Sequence, residues 1–335
     1  MFKKSLAAVA VLGAFAGSAL AADVQLYGLV DLGLNWTQVD KGTTTTDSFG
    51  MGSGQNSGSR FGLKGTEDLG NGYKVGFNLE NSFKADDGAF DKGSRLFHRE
   101  SILFVETPYG ELSAGRTGGL DSGVGRYGQM GSGATAMSTG WDNIAKTSKV
   151  FLGLGDRMDN TLTYKSPKFA GVTLLAQASL KKSNVNEEGD AIKTEEGSSD
   201  ADRYYALGVT YGAGALNAGL VYSQTDWNRT ELKDQTNDDN QTVVSAFANY
   251  DFGMVKPMVA VQYFDGGKDV DVDTALNKGY GFVVGGTAPL VGGTLKVQLG
   301  WNDYEDVKTG ATEGNNIITG VGYEYPLSKR TFVYT

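Results

Sequence analysis

Basic side chains recur on the polar faces of alternating segments in the first half of this 335-residue chain. Arg60 and Lys64 alternate with the apolar residues Phe61 and Leu63, so both cations point to one side of an extended strand. A group of fixed cations around a narrow aqueous passage attracts anions and is poorly screened there. The alternative is that these are scattered, separately solvated charges. The same parity places three more cations on polar faces, Lys74, Arg157 and Lys165.

Residues for catalysis or metal binding are scarce. The chain has no cysteine, and His98 is its one histidine, which excludes thiolate chemistry and a histidine-based metal site. Residues 123–128 match G-x-G-x-x-G, but they lie in a Gly/Ser-rich stretch without the strand and helix that a dinucleotide site requires. We therefore predict no enzyme activity, no cofactor and no bound metal.

The first 21 residues have the pattern of an export signal. Lys3 and Lys4 precede an apolar stretch over residues 5–16, and Ala19-Leu20-Ala21 forms an A-x-A cleavage site. This apolar stretch is shorter than the ~20 residues that a membrane-spanning helix needs. We predict a cleaved signal peptide over residues 1–21, with an uncleaved anchor as the alternative. The mature domain is then residues 22–335.

The rest of the chain alternates with a period of two residues. In residues 171–180, Val172 and Leu174 share one face while Thr173 and Gln177 share the other. A two-residue period indicates strands, because successive side chains point to opposite faces only in an extended backbone. The pattern predicts about 15 antiparallel strands. They are expected near 24–37, 58–66, 73–83, 98–107, 111–116, 157–166, 171–181, 203–211, 215–225, 241–252, 255–264, 279–288, 294–303, 315–325 and 330–335.

The connections between these strands alternate in length. Short turns such as Pro108-Tyr109-Gly110 alternate, strand by strand, with long polar stretches. The long stretches lie near 38–57, 84–97, 117–155, 182–201, 226–240, 265–278 and 304–314. Such sorting is typical of a transmembrane β-barrel with short periplasmic turns and long external loops. Aromatic residues near the strand ends fit interfacial girdles, although tyrosine and tryptophan also favour strands in general. The formal net charge of −9 argues against nucleic acid as a partner.

Several segments together resemble the general porins of β-proteobacteria, the group with neisserial and Comamonas-type porins. The matching segments are 23–34, 59–74, 99–101, 110–116, 159–160 and 164–171. The resemblance implies an all-β barrel of about 16 strands, assembled as a homotrimer, with residues 117–155 folded into the lumen as a constriction loop. Arg60, Arg99 and Arg157 match the arginine cluster that narrows the pore in related porins.

The resemblance also sets two expectations that depart from a plain barrel. Relatives usually end in a closing strand with a terminal aromatic residue, whereas this sequence ends Arg330-Thr-Phe-Val-Tyr-Thr335, so we expect the closing strand to be missing. Acidic residues on the inserted loop are expected to oppose the arginines and to set up a transverse field. The candidates are Asp121, Asp142 and Asp156.

The sequence therefore predicts an outer-membrane general diffusion porin that passes small hydrophilic solutes and inorganic ions with a modest anion preference. Its expected partners are outer-membrane lipid and lipopolysaccharide. Acidic loops such as 187–200 are expected to be solvated, with divalent-cation binding as the alternative. Two other functions stay open at this point, a soluble exported β-protein acting as an adhesin or binding module, and an outer-membrane barrel enzyme.

Overall fold

The computed structural model describes residues 23–92, 95–141, 145–183, 194–228, 240–268, 276–306 and 313–335. The predicted signal peptide lies outside the described residues. The described residues form seventeen strands: β1 Gln25–Leu29, β2 Leu32–Asp40, β3 Thr45–Ser53, β4 Arg60–Gly70, β5 Tyr73–Ser82, β6 Glu100–Thr107, β7 Gly110–Gly118, β8 Arg157–Lys165, β9 Val172–Ser179, β10 Arg203–Ala213, β11 Leu216–Asp226, β12 Gln241–Tyr250, β13 Lys256–Lys268, β14 Leu276–Leu290, β15 Gly293–Asp306, β16 Glu313–Pro326 and β17 Phe332–Tyr334.

Fifteen of these strands form one antiparallel sheet in which sequence neighbours pair, in the order β1, β4 and then β5 to β17. The all-β antiparallel class is confirmed, whereas the described residues form seventeen strands rather than about 15, because residues 24–37 divide into β1 and β2 and β3 was not predicted. Strands β2 and β3 pair with each other alone, from Leu32 with Ser53 to Asp40 with Thr45. The prediction that residues 38–57 form a loop is therefore wrong for β3, where threonines and outward Phe49 and Met51 favour an extended strand.

The strand pairing is interrupted at Asp31. Strand β1, before this residue, pairs with β4, and strand β2, after it, pairs with β3. The Asp31 carboxylate accepts the backbone N–H groups of Asn56 and Ser57 at 3.0 and 2.7 Å. The backbone carbonyl of Asp31 accepts the N–H of Gly54. These bonds satisfy buried backbone donors at a point where the ladder is interrupted.

The two faces of the sheet differ as the alternation predicts. In β9, Thr173, Gln177 and Ser179 are buried, whereas Leu174 is exposed. The exposed apolar face is the one that a membrane barrel presents to lipid. No helix among the described residues is long and apolar enough to cross a membrane.

The buried face contacts residues 119–156, the connection between β7 and β8. Leu120 and Tyr127 pack in one buried cluster with Ile102 of β6 and Leu175 of β9. A second cluster joins Met130, Val150 and Phe151 to residues of β12, β13, β14 and β16. Because these strands lie far apart in the sheet, the connection crosses the space that the curved sheet surrounds.

Side chains link the two ends of the sheet. The Tyr334 hydroxyl of β17 donates to Asp31 at 2.5 Å, and Asn56 donates to Glu324 of β16 at 2.9 Å. The Trp141 ring packs edge-on against Tyr334 at 5.0 Å between centroids. These contacts tie the beginning of the sheet to its last strands through the inserted segment.

Gly115 allows the close approach of β7 to β6. Its φ is +129°, and a Cβ there would lie 2.1 Å from the Ser101 carbonyl oxygen. The register of β7 against β8 shifts between Gly115 and Thr117. The positive φ and the close approach of the Ser101 carbonyl both require glycine at position 115. The register shift between β7 and β8 determines the direction of Arg116.

We predict that Gly115→Ala lowers the urea midpoint of unfolding in detergent micelles, because the added methyl clashes with backbone. Gly50→Ala is the matched control, since nothing lies within 4 Å of its Cβ position. Equal midpoints for the two variants would contradict the assigned register.

Candidate functional site

Three arginines gather at the beginning of strands on the buried face. Arg60 begins β4, Arg99 directly precedes β6 and Arg157 begins β8. Arg99 Nε lies 2.6 Å from Glu80 Oε1, and Arg60 Nη1 lies 4.0 Å from the same oxygen. One carboxylate thus balances two guanidinium groups.

The third arginine increases the positive charge of this group. Arg157 interacts electrostatically with Arg99 and Arg116, and its buried Nε has no hydrogen-bond partner among the described residues. Among the ion pairs of the described ranges, none involves Arg157 or Lys64. The cluster therefore carries more fixed cations than its carboxylates neutralise.

A cavity of about 750 Å³ lies between this wall and the inserted segment. Arg60, Lys64 and Arg99 line it from the sheet, and the backbone of residues 123–125 lines it from the other side. Lys64 also lies over the Tyr27 ring, 5.2 Å from its centroid. The Tyr27 hydroxyl donates to Glu80 at 3.0 Å. This space is a candidate aqueous passage with a basic wall.

Two predicted basic residues lie elsewhere. Lys74 and Lys165 do not line the cavity, and Arg157, although it belongs to the arginine group, does not line it either. In the sheet register, Lys74 is opposite Asp68 and Glu106, and Lys165 is opposite Glu111. The alternation of residues along a strand predicts which face a side chain occupies but not its position along the barrel axis. Lys74 and Lys165 lie at a different position along the strands from the arginines.

The predicted acidic residues do not oppose the arginines in the described structure. Asp121 is buried and accepts hydrogen bonds from Tyr204 of β10 at 2.7 Å and Ser223 of β11 at 2.5 Å. Burial raises the pKa of this carboxyl, since the charged form is desolvated. Asp156 is half exposed and pairs with Lys182 at 3.4 Å. Asp142 lies outside the described residues.

Three carboxylates line the cavity, Asp23 just before β1 and Glu80 and Glu100 on strands. Glu80 of β5 contacts the arginines, and Glu100 of β6 accepts the backbone N–H of Arg126 at 2.8 Å. The role of Glu80 and Glu100 was not predicted from sequence, because a single acidic residue on a polar strand face is equally expected for a solvated side chain.

Arg126 fastens the inserted segment to the wall near the β6–β7 turn. Its Nε and Nη2 donate to the two carboxylate oxygens of Glu111 at 3.0 and 2.5 Å, and its guanidinium lies 4.2 Å from the Phe104 ring centroid. The Tyr127 hydroxyl donates to the same carboxylate. A forked pair of this kind is directional as well as strong.

Amide side chains of the wall hold the backbone of the inserted segment at three separated points. Gln177 of β9 accepts the N–H of Leu120 at 3.1 Å and donates to the Gly118 carbonyl at 3.2 Å. Gln262 of β13 bonds both backbone groups of Leu152. Gln298 of β15 accepts the N–H of Met137 at 3.2 Å.

A second carboxylate fixes residues near 95 to the sheet. Asp159 of β8 receives Arg95 through two hydrogen bonds of 2.7 Å each and Arg116 at 2.7 Å. Arg116 also donates to the His98 carbonyl at 2.6 Å. The bonds place His98 against the arginine group.

His98 is buried beside two polar side chains. Its Nε2 lies 2.8 Å from the Ser82 hydroxyl, and its Nδ1 lies 3.2 Å from the Asn81 carbonyl oxygen. This resembles a serine–histidine arrangement, but all three residues are buried, so a substrate has no access to Ser82. Burial, and then the charge of Arg157, lowers the pKa of His98 to about 4.

Comparison with known proteins gives a consistent result. A family model described as Gram-negative porin matches residues 7–335. An outer membrane porin protein of Bordetella pertussis is 31% identical, with 99% of this chain and 92% of that protein covered. The solved structure of an anion-selective porin from Comamonas acidovorans has a TM-score of 0.70 at 25% identity, over 94% of this chain and 87% of that one.

A more distant structure shows the same fold. It is OmpT of Vibrio cholerae, described as a trimer form, with a TM-score of 0.60 at 17% identity over 94% of this chain and 87% of that one. The resemblance inferred from sequence segments is confirmed.

We predict that Arg126→Ala lowers the free energy of unfolding by about 1 to 2 kcal/mol, toward the lower end because this side chain is about a third exposed. It should also speed proteolysis within residues 119–156. Glu106→Ala is the control, because Glu106 lies 3.5 Å from Arg126 and is itself exposed. Equal cleavage rates for both variants and the parent would contradict the fastening role.

The single histidine permits a direct titration. We expect its carbon-13 resonance to titrate near pH 4 rather than near 6.5. Because the folded pKa is below the unfolded value, stability from this group is complete above pH 6.5 and is lost as pH falls toward 4. A midpoint near 6.5 would show that His98 is solvated.

Proposed function

The chain belongs to the Gram-negative porin family, and we propose from this premise that solutes cross through the cavity between residues 123–125 and the basic wall. The chain is an outer-membrane channel rather than an enzyme. Small hydrophilic solutes and ions diffuse through a space of this size while they keep much of their hydration.

The observation that carries the proposal is the position of the cations. Arg60, Lys64 and Arg99 line the cavity together, and Glu80 is the carboxylate that balances the two arginines. Excess fixed positive charge in a confined aqueous space raises the local anion concentration. The anion-selective Comamonas porin is a structural neighbour that supports a modest anion preference here.

We assign the role of constriction loop to residues 117–155. The contacts of Leu120, Met137 and Leu152 with the inner wall support it. The proposal differs from the sequence expectation in one respect, because Asp121 acts as an anchor of this loop and not as the acidic side of a transverse field. Glu80 and Glu100 belong to the same wall as the arginines, and Glu80 partly neutralises them, so neither carboxylate faces the arginines from across the passage.

Three further assignments complete the proposal. The protein forms a homotrimer, as supported by the trimeric form of the Vibrio neighbour with the same fold. Residues 1–21 are a cleaved signal peptide. The exposed apolar face contacts outer-membrane lipid, and the long loops meet lipopolysaccharide at the cell surface.

Reversal potentials in planar bilayers under a KCl gradient test the function. We expect an anion-selective parent channel, with selectivity lowered severalfold in Arg60→Ala and Arg99→Ala, because each loses one fixed charge that lines the confined passage. Lys74→Ala is the matched control, since Lys74 lies on the same face but outside the cavity.

The controls separate the two parts of the proposal. A conducting channel with unchanged selectivity in both arginine variants would remove these residues from the constriction. Loss of selectivity in Lys74→Ala alone would move the selective region toward the short-turn end of the strands.

A further inference from the structure

The short turns of the sheet carry exposed apolar side chains at their tips. Seven short turns join strands of the fifteen-stranded sheet, and six of them have, in the turn or directly beside it, at least one apolar side chain with an exposed fraction of 58–85%. The exception is the β10–β11 turn around Gly214. The tip residues are Leu69, Tyr109, Phe169, Phe252, Met254, Val291 and Leu327.

These tips lie at one end of the strands. In an antiparallel sheet whose neighbours follow in sequence, alternate connections lie at the same edge. The tips recur from the β4–β5 turn to the β16–β17 turn, so they follow the edge over nearly the whole sheet. Short turns of such barrels face the periplasm.

The tips continue directly from a row of tyrosines on the outer face. Tyr73, Tyr164, Tyr211, Tyr250 and Tyr325 are each within a few residues of a short turn and are exposed. Tyrosine at such positions marks the boundary between the hydrocarbon and the lipid headgroups.

Hydrogen bonds hold two of the tips against this row. The Tyr164 hydroxyl donates to the Tyr109 carbonyl at 2.7 Å. The hydroxyl of Tyr323, two residues before Tyr325 on the same face of β16, donates to the Val291 carbonyl at 3.2 Å. A turn whose backbone is bonded to the tyrosine row stays close to it. Its apolar side chain is thus kept immediately beyond the belt.

The distribution identifies the occupant. A protein partner covers one sector of an edge, whereas the tips occur at six turns spread along it. A bilayer meets every sector at one level. Its headgroup region extends about 5 to 7 Å beyond each side of the hydrocarbon core, which is the reach of a turn and its side chain.

We propose that these apolar turn tips insert into the headgroup region of the phospholipid leaflet on the periplasmic side and fix the height of the barrel in the membrane. Side chains such as Phe169 and Val291 thereby leave water, which is favourable at about 25 cal/mol per Å² of apolar surface. The inference depends on the chain spanning the membrane and is independent of its ion selectivity.

The absence of cysteine from the chain permits a site-specific test. Phe169→Cys, Met254→Cys and Val291→Cys are labelled singly with an environment-sensitive nitrobenzoxadiazole dye in the full chain. The folded protein is reconstituted in vesicles of phosphatidylethanolamine and phosphatidylglycerol. Quenching is measured with spin-labelled lipid and, separately, with aqueous iodide.

The control is Lys41→Cys, in the exposed connection between β2 and β3. This connection follows the interruption at Asp31, beyond the end of β4 that lies away from the short turns. We expect severalfold stronger lipid quenching and severalfold weaker iodide quenching at the three turn tips than at position 41. Iodide quenching at the tips equal to that at position 41 would overturn the proposal. Three positions keep the test decisive if one variant does not fold, and the conductance of each variant reports separately on the channel.

Discussion

Hydrogen bonds from wall amides to the backbone of residues 118–152 are the interactions on which this structure depends. A segment with little regular secondary structure leaves many of its backbone N–H and C=O groups without partners in a helix or sheet. Where such a segment is buried inside a sheet, each unpaired group costs about 1 to 3 kcal/mol of folding free energy. Gln177, Gln262 and Gln298 pair such groups from three distant strands. Asn302 adds a fourth point by donating to the Lys149 carbonyl at 2.8 Å. The loop is thus held by directional bonds as well as by apolar contact.

The position of the passage follows from this anchoring. The loop is packed against strands between β6 and β16 through buried apolar side chains, and open space is left beside β1, β4 and β5. The sheet cations that line this remaining space are Arg60, Lys64 and Arg99. The proposed anion preference therefore follows from which wall the loop leaves uncovered.

The strands and the faces of their side chains were predictable from sequence, whereas the contacts between the loop and the wall were not. Alternation placed Gln177 on the inner face, yet its partner Leu120 lies more than 50 residues away along the chain. Asp121 was predicted to be acidic lining because its position fitted the loop, but nothing local encodes its two hydroxyl partners. Apolar Leu175 on the inner face was the available sign that something packs there.

A cross-link between loop and wall tests the anchoring most directly. Asn249 of β12 donates to the Gly133 carbonyl at 2.5 Å, and the chain has no cysteine of its own. Gly133→Cys combined with Asn249→Cys should form a disulfide under mild oxidation in the membrane and leave single-channel conductance unchanged. Thiols that stay free under oxidation, or a conductance that changes when the bond forms, would contradict a loop resting on the inner wall.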